Sequence, residues 1–270
     1  MSFAPVLPMS GLTGWGFLNR TLVAQTTAFD SQTSIRRDEA YFREKIGAVN
    51  TAEQLVSDPR LLRVALGAFG LEADVNNRFF IRKVLEDGTL DPKALSNRLA
   101  DKRYRDFSEA FGFGDFATPR TKLSNFADRI LPDWKTRRFE SAVGDRSESM
   151  RLALNARREL SRLAERSISD DAKWFTIMGN KPLRSVFETA FNLPKSFGTL
   201  DIDRQLSVLK QKAASILGSS SVGQFAQPEK TEGLIRNFML RAEDGGAGSG
   251  SLRGAPALQL LLAATPARLR

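Results

Sequence analysis

The apolar residues of this chain fall three and four positions apart, and proline, glycine and aspartate break the pattern into short runs. Leu18, Leu22, Thr26 and Phe29 form one such run, and Ile35, Glu39, Phe42 and Ile46 the next, with Ser34 placed to cap it. This is the spacing of amphipathic helices, whose buried stripe returns every ~3.6 residues. Asp58-Pro59, Asp91-Pro92 and Thr118-Pro119 each set a capping side chain before a proline. Proline suits the first helical position because a helix start leaves that N–H unbonded anyway. Asp74 and Asp170 read as two further N-caps, and Asp87-Gly88 as a stop. The longest predicted helix covers residues 147–166; others cover 183–191 and 203–217, and a last one opens at Pro228 and passes Leu234, Phe238 and Met239. No segment alternates apolar and polar residues with β-branched side chains, so little or no sheet is expected. The predicted fold class is all-α, a multi-helix, bundle-like domain.

The two ends break the pattern. Residues 1–16 carry Pro5, Pro8, Gly11, Gly14 and Gly16, and read as an extended apolar leader. Its apolar side chains need a surface, either on the chain's own domain or on a partner. Phe3, Leu7, Leu12, Trp15 and Phe17 are the candidate partner-docking residues. The helical domain is assigned to 17–243, with a division into two subdomains near 115–147 left open. Residues 244–270 read as a flexible tail: a Gly/Ser linker, then Pro256-Ala-Leu-Gln-Leu-Leu-Leu-Ala-Ala264. That apolar stretch is either a loose tail or a helix that orders on a partner.

One pattern occurs three times. Leu61-Leu-Arg-Val-Ala-Leu-Gly-Ala-Phe-Gly-Leu71 matches Leu183-Arg-Ser-Val-Phe-Glu-Thr-Ala-Phe-Asn-Leu193, and Ala110-Phe111-Gly112-Phe113 repeats the core. The shared element is a helix stop. Gly70, Gly112 or Asn192 supplies a residue that tolerates positive φ, and the next apolar side chain folds back on the helix. A stacked array with one binding face is one reading. The uneven spacing favours the other, a single helix ending used three times in one core.

Composition then narrows the chemistry. The chain of 270 residues has no histidine and no cysteine. Zinc sites built on those residues, His-dependent nucleophiles and disulfides are therefore excluded. Gly112-Phe-Gly114-Asp-Phe-Ala117 has the spacing of a dinucleotide loop, but it follows a predicted helix rather than a strand and is not read as one. Asp170-Asp171 are adjacent and poorly placed to converge on a metal. No catalytic residue, metal site or cofactor is expected, and a small-molecule ligand is not expected either.

The net charge is +9. Lys135, Arg137, Arg138, Arg146, Arg151, Arg157, Arg158, Arg162 and Arg166 concentrate it, and Arg151, Arg158 and Arg162 form the candidate basic surface. A nucleic-acid groove would look like this. Acidic residues interleave throughout, so a solvated helix face is the preferred reading, with Glu159 and Arg162 as a surface pair. The longest terminal apolar run, 257–264, is far short of the ~20 residues a membrane helix needs, and the first residues do not form a secretory signal. No membrane insertion is expected.

Pro8-Met-Ser-Gly-Leu-Thr-Gly-Trp-Gly-Phe-Leu-Asn-Arg-Thr21, Tyr41-Phe-Arg-Glu-Lys-Ile-Gly47, the stretch from Asp58 to Leu71, Asn76-Asn-Arg-Phe-Phe-Ile-Arg-Lys-Val-Leu85 and Leu99-Ala-Asp-Lys-Arg-Tyr104 together resemble a bacterial domain-of-unknown-function family, DUF1217. The resemblance runs to the glycine-rich linker. It implies a helical protein encoded beside flagellar genes, and brings no catalytic residues with it. The expectation is a non-enzymatic structural, assembly or accessory protein of the bacterial flagellum, acting through contacts with an unidentified protein partner. It would be cytoplasmic as made, with export or association with the flagellum left open. The alternative is a basic helical nucleic-acid-binding protein.

Overall fold

A computed structural model describes residues 3–246. The elements are α1 (Gly11–Asp30), α2 (Thr33–Lys45), α3 (Ala52–Ser57), α4 (Pro59–Phe69), α5 (Arg78–Asp87), α6 (Leu95–Arg98), α7 (Arg103–Phe111), α8 (Phe126–Gly144), α9 (Glu148–Glu165), α10 (Asp170–Gly179), α11 (Lys181–Ala190), α12 (Ile202–Leu217) and α13 (Pro228–Gly246). Short 3₁₀ turns join several of them, and no strand occurs among the described residues. The chain is all-α.

The centre is a run of packed helices: α4 lies on α8, α8 on α9, and α9 on α11 and α13. Close approach has a local cause. A Cβ on Gly67 of α4 would come 2.8 Å from Cδ1 of the buried Trp134 on α8, so glycine lets the indole lie against the α4 backbone. One hydrophobic cluster runs from Trp15 to Met239. Within residues 115–147, α8 packs on both α4 and α9, and the hydrophobic cluster includes its Phe126, Ile130, Leu131, Trp134, Phe139 and Val143.

The three helix stops adopt the expected geometry. Gly70, Gly112 and Asn192 have φ of 70°, 68° and 52°. The Leu71 N–H donates to Leu66 O and the Leu193 N–H to Glu188 O, both at 2.9 Å, which closes the same six-residue ring. The first two stops share one aromatic cluster: Phe69 meets Phe107 at 5.3 Å, and Phe111 meets Phe126 at 5.1 Å. The third has its own, with Phe187 between Trp174 and Phe191 at 5.5 and 5.4 Å. The repeats are one solution to ending a helix over aromatic rings, not a stacked array.

Several local expectations are corrected. The leader is extended only to Ser10; α1 starts at Gly11 and includes Gly14 and Gly16. Glycine is tolerated there because of crowding: a Cβ on Gly14 would lie 2.0 Å from Met9 O and 2.4 Å from Met150 Cε. Gln32, not Ser34, precedes α2. Asp58 caps α4 through the Arg60 and Leu61 N–H groups. Asp91 instead accepts from the Lys93 N–H within a turn, and Thr118-Pro119 leads into a 3₁₀ turn, with α8 starting only at Phe126. Asp74 lies in a 3₁₀ turn and accepts from the Tyr104 hydroxyl at 2.6 Å. Ser169 caps α10, and Asp170 accepts from the Ser221 hydroxyl and the Val222 N–H. The helix expected to end before the linker runs on through Gly246; the rest of the tail expected over 244–270 lies outside the described residues.

Candidate functional site

The leader residues proposed for docking are largely engaged by the chain itself. Phe3, Leu7 and Leu12 pack against the core. The Val6 N–H donates to Gln25 Oε1 at 2.8 Å, and Gln25 Nε2 donates back to Val6 O at 3.1 Å, so one buried side chain straps the leader to α1. Trp15 is buried; its Nε1–H donates to Glu232 on α13, and Arg157 of α9 lies 4.4 Å over its ring. Phe17 is half-buried on α1. This set joins α1 to α9 and α13 rather than forming a free apolar surface.

The basic surface is corrected in the same way. The Arg158 side chain, 10% exposed, lies between helices and makes a two-pronged ion pair with Glu140 of α8, both bonds 2.8 Å. It also contacts Glu159, which receives Arg137 Nη2 at 2.5 Å. Arg162 binds Asp133, and Arg151 binds Glu148. Glu159 is therefore part of a buried network, not a surface partner of Arg162. Burial would raise the Glu159 carboxyl, but Arg137 and Arg158 outweigh it and hold the pKa below the usual carboxylate range. Burial lowers the Arg137 guanidinium, with Arg158 adding to the effect. The polar side of α9 faces α8, and sequence alone cannot tell a polar face turned to water from one turned to complementary charges.

Arg137 and Arg103 also close the end of α4. Arg137 Nε donates to Ala68 O at 2.9 Å and Arg103 Nη1 to Gly70 O at 2.5 Å, placing cations at the negative end of the helix dipole. These groups line a charged cleft of about 270 Å³. Glu72 nearby has its pKa raised, by burial first, with Arg137, Arg138 and Arg103 countering only in part.

The Arg166–Asp106 pair, at 2.7 Å, borders both this cleft and an apolar groove of about 680 Å³ between α7, α10 and the start of α12. The groove forms because α10 ends against the segment before α7: a Cβ on Gly179 would lie 2.4 Å from Ala100 O. Trp174, Ile177 and Met178 bury the inner face of α10, while Phe175 points outward. Phe175, Ile168 and Ile202 line the groove with 39%, 44% and 57% of their surface exposed. Lys102, Arg105, Glu109 and Arg184 stand around it. Gln205 of α12 lies in its wall, 6% exposed. Its Nε2 donates to Leu200 O at 2.7 Å, but its Oε1 is buried with no hydrogen-bond partner among the described residues. The groove is not legible in the sequence. The available signal was Phe175, an aromatic residue off the stripe of Trp174 and Ile177.

The Gly112–Gly114 loop is structural. A Cβ on Gly114 would lie 2.3 Å from Glu86 O, and Asp115 accepts from the Thr89 and Leu90 N–H groups. Asp170 and Asp171 part company, the second pairing with Lys210. Among the described residues no acidic cluster could hold a metal ion, and no helix is long and apolar enough to cross a membrane.

The sequence profile of a family described as protein of unknown function, DUF1217, matches residues 68–231, more than half the chain and including the groove helices. This chain belongs to that family. The match begins at the first helix stop and spans the other two. The X-ray crystal structure of protein AGR_C_984 from Agrobacterium tumefaciens is similar to this DUF1217 chain, at 26% identity and a TM-score of 0.71, covering 89% of this chain and 98% of that one. No curated protein matches.

Proposed function

We propose that this DUF1217 protein is a non-enzymatic docking component of the bacterial flagellar system, working through the groove between α7, α10 and α12. The observation that carries the docking is the exposure of Phe175, Ile168 and Ile202 along one concave surface. Contiguous exposed apolar surface costs solubility and is characteristic of a binding site. A groove of this form, rimmed by charge, suits the apolar face of an amphipathic helix from a partner protein. The flagellar setting rests on the resemblance of the motif set to a family encoded beside flagellar genes, and the lack of histidine and cysteine favours contact over turnover.

Deletion of the gene tests the setting, with swimming and flagellar number as the measurements. Complementation with Phe175→Asp tests the groove. Loss of swimming in both strains is the expected outcome; normal motility and normal flagella in the deletion strain would remove the flagellar role.

A further inference from the structure

We propose that the charged cleft at the end of α4 binds one small oxyanion, a phosphate or carboxylate group, through Arg137 and Arg103. This does not depend on the groove being a docking surface. The first argument is an unused donor. The Arg137 side chain is 10% exposed and lines the cleft. Its Nε donates to Ala68 O and its Nη2 to Glu159, while its Nη1 makes no hydrogen bond among the described residues. That nitrogen is not sealed in: the fully buried side-chain atoms without a partner there are Asn155 Oδ1, Gln205 Oε1 and Gln224 Oε1. A guanidinium N–H open to a narrow cleft is completed by a charge-assisted bond to an anion.

The second argument is the gap beside Gly70. A Cβ at this position would lie 2.8 Å from Arg137 Nη1 and 3.2 Å from Arg103 Nη1. The ends of two guanidiniums therefore gather at a point that the missing side chain keeps open. The matching stop at Asn192 also has positive φ and carries a side chain, so the turn alone does not demand glycine. At position 70 the crowding by two cations does.

The third argument is the charge balance. The four carboxylates of the cleft are all taken: Asp101 by Arg103, Asp106 by Arg166, Asp133 by Arg162 and Glu159 by Arg137. Glu159 is shared with Arg158, and burial together with Arg158 lowers the Arg137 pKa. Lys102 adds a further cation to the lining, and its Nζ meets the Asn97 and Leu99 carbonyls rather than a carboxylate. Positive charge is in excess around Nη1. The anion takes N–H groups left over from the ion pairs, so the pairs that join α8 to α9 stay intact. The cleft holds about 270 Å³, under the roughly 300–1,000 Å³ of pockets for drug-sized ligands, which limits the occupant to a small anion.

The test titrates the full-length protein with sodium phosphate or sodium malonate at neutral pH. Sodium chloride holds the ionic strength constant, and calorimetry follows the heat. One anion per chain is expected to bind with a Kd of about 1 mM or tighter, and the tighter of the two names the ligand's group. Gly70→Ala sets a Cβ between the two guanidiniums and is expected to weaken binding about tenfold or more. Arg166→Gln removes a cation from an exposed pair on the rim, which the fold can spare, and is expected to weaken binding about threefold. Arg20→Gln, at an exposed position on α1 outside the cleft, leaves the affinity unchanged. No saturable binding of either anion, an affinity that neither Gly70→Ala nor Arg166→Gln lowers, or an equal loss with Arg20→Gln would each overturn the proposal; the last would make the binding a general effect of surface charge.

Discussion

Asn192 and Gly70 do the same work with different side chains. Both sit at positive φ at a helix stop, where a side chain with a Cβ costs about 1–2 kcal/mol unless, as with asparagine, local bonding offsets it. Gly70→Ala should lose about that much in a urea titration, with Arg137 Nη1 having to retreat from a Cβ 2.8 Å away, while Asn192→Gly should be close to neutral. Glu72 makes a second prediction. Its folded pKa is raised, so between the unfolded value of about 4.3 and the folded one the native state holds the extra proton, and stability falls as pH rises through that window. Glu72→Gln removes the penalty. Thermal unfolding should show a gain at pH 7 that vanishes below about pH 4. The helix stops were legible because a positive φ restricts residue type locally. Asp74 and Asp170 were not: each has the local look of an N-cap, yet the decisive donors, Tyr104 and Val222, come from distant segments that happen to fold alongside.

Between elements, the same ambiguity governed the charges. The stripe on α9 was visible in sequence, but not that α8 would cover it with Glu140 and Asp133. Arg158 now fastens α8 to α9. Arg158→Met should cost about 3–5 kcal/mol, because it leaves the buried Glu140 without its cation, Glu159 keeping Arg137. Arg162→Met, at an exposed pair with Asp133, should cost under about 1 kcal/mol. Chemical denaturation of the two variants side by side separates a buried clamp from a surface pair. The groove lay beyond sequence for a related reason: Phe175 was readable as an odd apolar residue, but Ile168 and Ile202 join it only through the packing of α7, α10 and α12.

For the whole molecule, a net charge of +9 overstates the free positive surface. Arg137 and Arg158 meet carboxylates across the α8–α9 contact, and so cannot also line a duplex's phosphate groove without breaking the core, while Arg157 and Arg162 are neutralised by Glu232 and Asp133. Titration with a DNA duplex is expected to show no binding above about 0.15 M salt, where surface charge alone is screened; binding that persists there would restore the nucleic-acid reading. The all-α architecture needed only periodicity and stops to be read, whereas the contact surface needed three helices in place. The strap from Gln25 to Val6 carries a final consequence. Anything that grips Phe3 or Leu7 through its packed face must arrive before α1 forms, or else peel that side chain from the core. For those two side chains recognition is thus a race against folding, whereas Val6 and Met9 stay open on the finished chain.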